Sequence, residues 1–208
     1  MRAIGSFAGG PVGDDQTLQD VTVDVPELRD RDVLVRVLAV SVNPVDVKRR
    51  SSLEASSNPT ILGFDAAGIV EAVGPQVTTL GVGDEVWYAG DITRPGSNAE
   101  FQAVDERIVS RKPMSLSFAE AAALPLTTIT AWESLFDRFG LAQQSTGDLL
   151  VLGAAGGVGS IMIQLAKAPT PSSITTTSAR RRSRSPPMAS TTSSRRIPRA
   201  TSTTTRPS

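Results

Sequence analysis

"DLLVLGAAGGVGSIMIQLAK", residues 148–167, is the stretch whose reading decides the fold. An apolar run, "LLVLG", has the length and bulk of a buried strand. A glycine-rich turn follows it, and "IMIQLAK" continues with helical spacing. In Ala154-Ala155-Gly156-Gly157-Val158-Gly159 the spacing is that of G-x-G-x-x-G, with Ala in the first slot. Such glycines allow a tight turn, close approach of backbone N–H groups to a diphosphate, and tight packing of helix on strand. The positive end of the helix that begins near Val158 faces the phosphates. The predicted nucleotide contacts are therefore Ala155, Gly156, Gly157, Val158 and Gly159. A glycine turn kept for packing alone is the competing reading.

Residues upstream of Pro113 read as strands. "DVTVDVP" (20–26) alternates Val with polar residues, and "DVLVRVLAVSVN" (32–43) places Val33, Val35 and Val37 on one phase and Arg36 on the other. "AAGIVEAVG" (66–74) adds a strand in which Gly68 marks a bulge or a close backbone approach. In "GVGDEVWYAG" (81–90), a turn at Gly83-Asp84 leads into a strand through Val86, Trp87 and Tyr88. Short β runs between Gly, Pro and Asp turns indicate a sandwich or small barrel.

Beyond Pro113 the pattern becomes helical. Ser117 and Glu120 have capping-box spacing, Pro125 breaks the Ala-rich helix that follows, and Ile129, Trp132, Leu135, Phe136 and Phe139 recur helically up to Gly140. Trp132 is read as core. The expected fold class is α/β with a β-barrel: a barrel over 1–125, a partial dinucleotide-binding fold over 126–179, and a low-complexity tail over 180–208.

Charge divides the chain in the same sense. Residues 1–167 hold 13 Lys+Arg and 21 Asp+Glu, a net of −8, whereas 168–208 hold 8 Arg and no acid, a net of +8. Of the last 41 residues, 34 are Ser, Thr, Arg or Pro and none is aromatic. By composition this segment is expected to be disordered. The chain has neither Cys nor His, which removes disulfides, thiolate nucleophiles and imidazole bases. No apolar run approaches the roughly 18 residues of a membrane span, and a soluble cytoplasmic protein is expected.

"VLVRVLAVSVNPVDVKRR" (33–50), "LGFDAAGIVEAVG" (62–74), "GVGDEVW" (81–87), "AAALPLTTITAWESL" (121–135) and "GAAGGVGSIMIQLAK" (153–167) together resemble the medium-chain dehydrogenase/reductase superfamily. The resemblance is strongest to its zinc-independent quinone oxidoreductase branch, including proteins labelled zinc-type alcohol dehydrogenase-like. It implies a GroES-like barrel followed by a Rossmann fold, NADPH in the cleft between them, and hydride transfer to a small-molecule quinone or enone. It also implies a homodimer for an intact member.

The zinc-dependent branch carries Cys where this chain has Asn43, His-Glu where it has Phe64-Asp65, and a third ligand close to Pro125–Leu126. The resemblance thus implies no catalytic zinc here. Asn43 and Asp46 remain as polar groups at the cleft. Asn43 is expected to hydrogen-bond the nicotinamide ribose or a substrate carbonyl, with Asp46 orienting it; an Asn-Pro turn capped by Asp46 is the alternative. Thr130 matches a position that lies against the nicotinamide, and a hydroxyl satisfied by a helix carbonyl is its alternative. Lys48, Arg49 and Arg50 read as a solvated charge run. Near the usual ribose selector, Thr175–Thr177 could form a strand edge. Arg180–Arg182 could pair a 2′-phosphate or could simply be solvated.

Family members continue through further βα units where this chain turns to Ser, Thr, Pro and Arg. A lost reading frame between about Arg180 and Pro187 is one expectation. Suitable codons for "MASTTSS" (188–194), read one frame over, give a family-like Gly-Val-Asp-His-Val-Ile, although only the Gly is forced. A basic tail that attracts an acidic partner is the other; without aromatic residues, nucleic-acid binding is not expected of it. An enzyme, a nucleotide-binding module and an inactive fragment are the three functional outcomes.

Overall fold

The computed structural model describes residues 1–11, 17–142 and 145–168, and the backbone of 174–179. The expected tail at 180–208, Arg180–Arg182 and the suggested frame loss lie outside the described residues.

Two antiparallel sheets make the first half. Strand β1 (Arg2–Ser6) pairs with β2 (Gln19–Thr22), and β3 (Asp32–Ser41) leads into helix α1 (Pro44–Ser51). The short β4 (Thr60–Ile61) completes the first sheet on the other side of β1. Next come β5 (Asp65–Val73), β6 (Glu85–Ala89), β7 (Phe101–Asp105) and β8 (Val109–Arg111). The second sheet has the order β7-β3-β5-β6-β8. Residues 98–100 stitch the sheets together: the Ile4 amide donates to the Asn98 carbonyl at 2.8 Å and the Glu100 amide to Arg2 at 3.0 Å.

The alternation in β3 sends Val33 and Val35, both fully buried, into a core with Ala66, Val70, Val86, Tyr88, Val104 and Val109. Tyr88 keeps its hydroxyl satisfied by donating to Gln102 Oε1 at 2.9 Å. A bidentate pair, Arg94 with Asp32 at 2.7 and 2.8 Å, closes one edge of this core. Between Val37 and Ala39 the register against β5 shifts, and Gly68 sits at that irregularity.

The second half is helical with two parallel strands. Helix α2 (Phe118–Ala122) starts at the Ser117/Glu120 capping box and buries Ala121 and Ala122 against Ala67. Helix α3 (Pro125–Trp132) runs on as a π-helical turn over Glu133–Arg138, and Gly140 takes the left-handed conformation beyond it. Strand β9 (Gly147–Leu152), helix α4 (Gly157–Lys167) and strand β10 (Ile174–Ala179) follow, with β10 parallel to β9 and Leu152 opposite Ala179. Thus a βαβ unit begins where the glycine turn predicts it. Among the described residues no helix is long and apolar enough to cross a membrane.

Several expectations change. Residues 174–179 form a strand paired along β9, in line with the reading of Thr175–Thr177 as a strand edge and against the disorder that composition suggests for 168–208. The strand through 32–43 stops at Ser41, because Pro44 opens α1 instead. Strand β2 ends at Thr22, short of the predicted Pro26. Trp132 is not core: it is 52% exposed and packs at a tilt against Phe136, with ring centroids 4.5 Å apart and planes inclined at 56°. Arg49 and Arg50 are not merely solvated, since their guanidinium groups donate to the carbonyls of Ile92 and Pro11.

A Cβ built on Gly68 would lie 2.2 Å from the Arg36 carbonyl oxygen and 2.8 Å from Val35 Cγ1, whereas one on Gly81 meets nothing within 4 Å. Gly68→Ala should therefore cost about 1–3 kcal/mol, and Gly81→Ala no more than about 0.5 kcal/mol. Urea unfolding midpoints read both; equal midpoints for the two variants would show that the sheet absorbs the clash.

Candidate functional site

The glycine turn after β9 is built from three glycines with different tasks. Gly153 adopts φ +72 and turns the chain off the end of β9. Its carbonyl accepts from the Gly156 amide at 2.9 Å, closing the turn. Gly159 allows α4 to lie against that turn, since a Cβ there would sit 2.6 Å from Ala154 Cα and 2.7 Å from the Gly153 oxygen. Gly156 is the N-cap of α4, and a Cβ on it would meet only the Gly153 oxygen, at 3.4 Å.

The amides of Gly157, Val158 and Gly159 belong to the first helical turn, which has no intrahelical acceptors for them. Ala155 and Gly156 are exposed beside them. The backbone therefore has both the donors and the clearance that a diphosphate needs. The predicted turn is found at the predicted residues; the left-handed position falls on Gly153, one residue ahead of the motif's Ala154.

The polar cluster lies in the first half, at the junction of β3, α1 and β5. Asn43 caps α1, and its own amide donates to Asp46 Oδ2 at 2.7 Å. Both residues are buried. The alternative reading, in which Asp46 caps an Asn-Pro turn, describes this contact, which is made to the Asn43 backbone and not to its side chain. The Asn43 side chain donates through Nδ2 to Asp65 Oδ2 at 2.9 Å. Ser41 Oγ donates to the same oxygen at 3.1 Å.

Asp65 is fully buried, and its second oxygen, Oδ1, accepts from the Leu126 amide at 2.9 Å. Leu126 is the second residue of α3, so the carboxylate also meets the positive end of that helix. The resemblance already singled out the region of Asn43, Asp65 and Leu126 as the place of the zinc-dependent branch's ligands. Here the three meet at one carboxylate.

The donor set does not fit a tetrahedral zinc site. An amide and a carboxylate replace thiolate and imidazole, Leu126 has no ligating side chain, and both Asp65 oxygens are engaged. Among the described residues no group of three or more His, Cys, Asp or Glu is placed to hold a metal ion.

Thr130 lies on α3, exposed, and its hydroxyl donates to the Leu126 carbonyl at 2.8 Å. The oxygen lone pairs remain for a ligand donor. One residue beyond Leu126, Thr127 packs on the phosphate turn: its Cγ2 lies 3.0 Å from where a Gly157 Cβ would be. Helix α3 thus touches Asp65 at its start and the first turn of α4 one residue later. Sequence reasoning gave no role to Asp65 or Thr127. The available signal was a lone acid in "GFDAAG", a segment otherwise apolar enough to be buried.

Burial pushes the Asp65 carboxyl above the usual carboxylate range, against hydrogen bonds from Asn43, Leu126 and Ser41 that lower it. Burial raises Asp46 too. A raised folded-state pKa means the native chain keeps a proton that the unfolded chain releases. The stability so gained is complete below the ordinary value of 3.8 and is lost as pH rises through the elevated one. Asp65→Asn should flatten the decline of unfolding free energy above pH 3.8. Chemical denaturation across pH checks this, and an unchanged slope contradicts it.

Residues 29–124 match the alcohol dehydrogenase GroES-like domain. A zinc-type alcohol dehydrogenase-like protein of Staphylococcus epidermidis is 40% identical over 182 residues, covering 86% of this chain and 54% of the relative. An NADPH-dependent alkenal/one oxidoreductase, chloroplastic, of Arabidopsis thaliana is 44% identical over 153 residues, covering 69% and 39%. Among solved structures, a quinone oxidoreductase of Pseudomonas syringae pv. Tomato DC3000 superposes with a TM-score of 0.69 at 32% identity, covering 85% and 52%. The chain spans about half the length of the curated relatives it matches. Residues 29–124 carry the alcohol dehydrogenase GroES-like domain, and with the βαβ unit that follows it the chain is similar to proteins of the medium-chain dehydrogenase/reductase superfamily.

Proposed function

We propose that the protein is an NADPH-dependent oxidoreductase that delivers hydride to a small-molecule quinone or enone without zinc, in the cytoplasm. The observation that carries this reading is the turn at 153–159, open at Gly156 and lined by first-turn amides of α4. The resemblance to an NADPH-dependent alkenal/one oxidoreductase and to a quinone oxidoreductase favours the same chemistry.

Bound NADPH supplies the hydride from C4 of its reduced ring. The amides of Gly157, Val158 and Gly159 hold the diphosphate, with Ala155 and Gly156 leaving it room. Thr130, whose hydroxyl hydrogen is taken up by the Leu126 carbonyl, would offer its oxygen as an acceptor beside the nicotinamide. Asn43 spends one Nδ2 hydrogen on Asp65, which leaves the other hydrogen for a substrate carbonyl or the ribose. Asp46 holds Asn43 in place through its backbone. The chain's share of catalysis is therefore orientation and polarisation. Water provides the proton that completes the product, in keeping with a chain that has no His.

Gly156→Val separates binding from folding. Its Cβ meets little protein, so the unfolding midpoint should hardly move, while the branched side chain enters the diphosphate space. Fluorescence titration should show NADPH affinity at least tenfold weaker than in the parent chain. Equal affinity would remove the turn from the binding site, and oxidation assays with a quinone and enone panel then test turnover separately.

A further inference from the structure

We propose that Asp65 is the positioning residue that sets the distance between the barrel's polar cleft and the phosphate turn, a hydrogen-bonded latch at the place where the zinc-dependent branch would carry its metal. The inference rests on the functional reading above only for its consequence in nucleotide binding; the latch itself is read from contacts within the chain.

Asp65 touches both sides of the junction through separate oxygens. Oδ2 takes Asn43 Nδ2 and Ser41 Oγ, which anchors it to the end of β3 and the start of α1. Oδ1 takes the Leu126 amide, which fixes the first turn of α3. The carboxylate's own main chain is also held, because Ser97 Oγ donates to the Asp65 carbonyl at 3.3 Å. With no exposure, the group has no water to substitute for a lost partner.

Transmission needs one more contact. Thr127 follows Leu126 directly, and its methyl packs against Gly157, the first residue of α4. A movement of the α3 start therefore moves the surface on which the phosphate turn rests. Thr127 is itself pinned, donating through Oγ1 to the Leu124 carbonyl at 2.8 Å, so it moves with the helix rather than by rotating.

The test uses the 208-residue chain and three variants: Asp65→Ala, Asp65→Asn, and Asp65→Asn combined with Asn43→Asp. The double variant reverses the donor and acceptor between positions 43 and 65 and keeps an acceptor for the Leu126 amide. In the nucleotide-free protein, Asp65→Ala should lower hydrogen-exchange protection of the Leu126 amide at least tenfold and shift the NMR amide resonances of Gly157, Val158 and Gly159. The double variant should restore both. Should Asp65→Ala fail to fold, Asp65→Val, which keeps the bulk of the side chain without either oxygen, takes its place in the same comparison.

NADPH titration of the same samples should show affinity falling about fivefold or more in Asp65→Ala and recovering in the double variant. Resonance changes confined to β3, α1 and β5 would overturn the latch, as would undiminished protection of Leu126. Propagated changes in a parent chain that binds no NADPH would support the latch and reject the functional reading.

Discussion

The approach of α4 to the end of β9 constrains everything else at the site. A side chain at position 159 would collide with Ala154 Cα, so the helix can begin this close to its strand only because glycine is there. The left-handed Gly153 turns the chain off the end of β9, and the Gly156 amide closes the turn back onto its carbonyl. From that one packing requirement follow the direction of the first-turn amides, the clearance at Gly156 and the parallel return of the chain into β10.

The barrel half meets this turn through α3. Its first turn is held by a buried carboxylate, and its Thr127 rests on Gly157. Buried carboxylates are costly unless fully engaged, and this one has partners on both oxygens.

Local features were legible in the sequence to the extent that they depend on neighbours along the chain. The glycine turn, the Ser117/Glu120 capping box and the alternation of Val33 and Val35 each rest on residues a few positions apart, and each stands where its spacing puts it. The break at Ser41 was missed because the Val alternation runs past it, masking an Asn-Pro-x-Asp helix start that capping rules could have flagged. The exposure of Trp132 was unreadable, since helical periodicity shows a face without showing what covers it. Asp65 depends on an amide 61 residues away, a relation that composition and periodicity do not contain. The strand at 174–179 stands where Thr175–Thr177 read as a strand edge, although the composition of 168–208 as a whole argues for no structure.

The central claim is that the backbone of the turn after β9 holds a dinucleotide's diphosphate. Titrating oxidised NADP into isotope-labelled chain and following amide resonances by NMR tests it most directly. The account predicts large, saturable shifts at Gly157, Val158 and Gly159, with Gly156 and Thr130 next in size. Shifts confined to the arginine-rich residues beyond 179, with the turn unmoved, would contradict it.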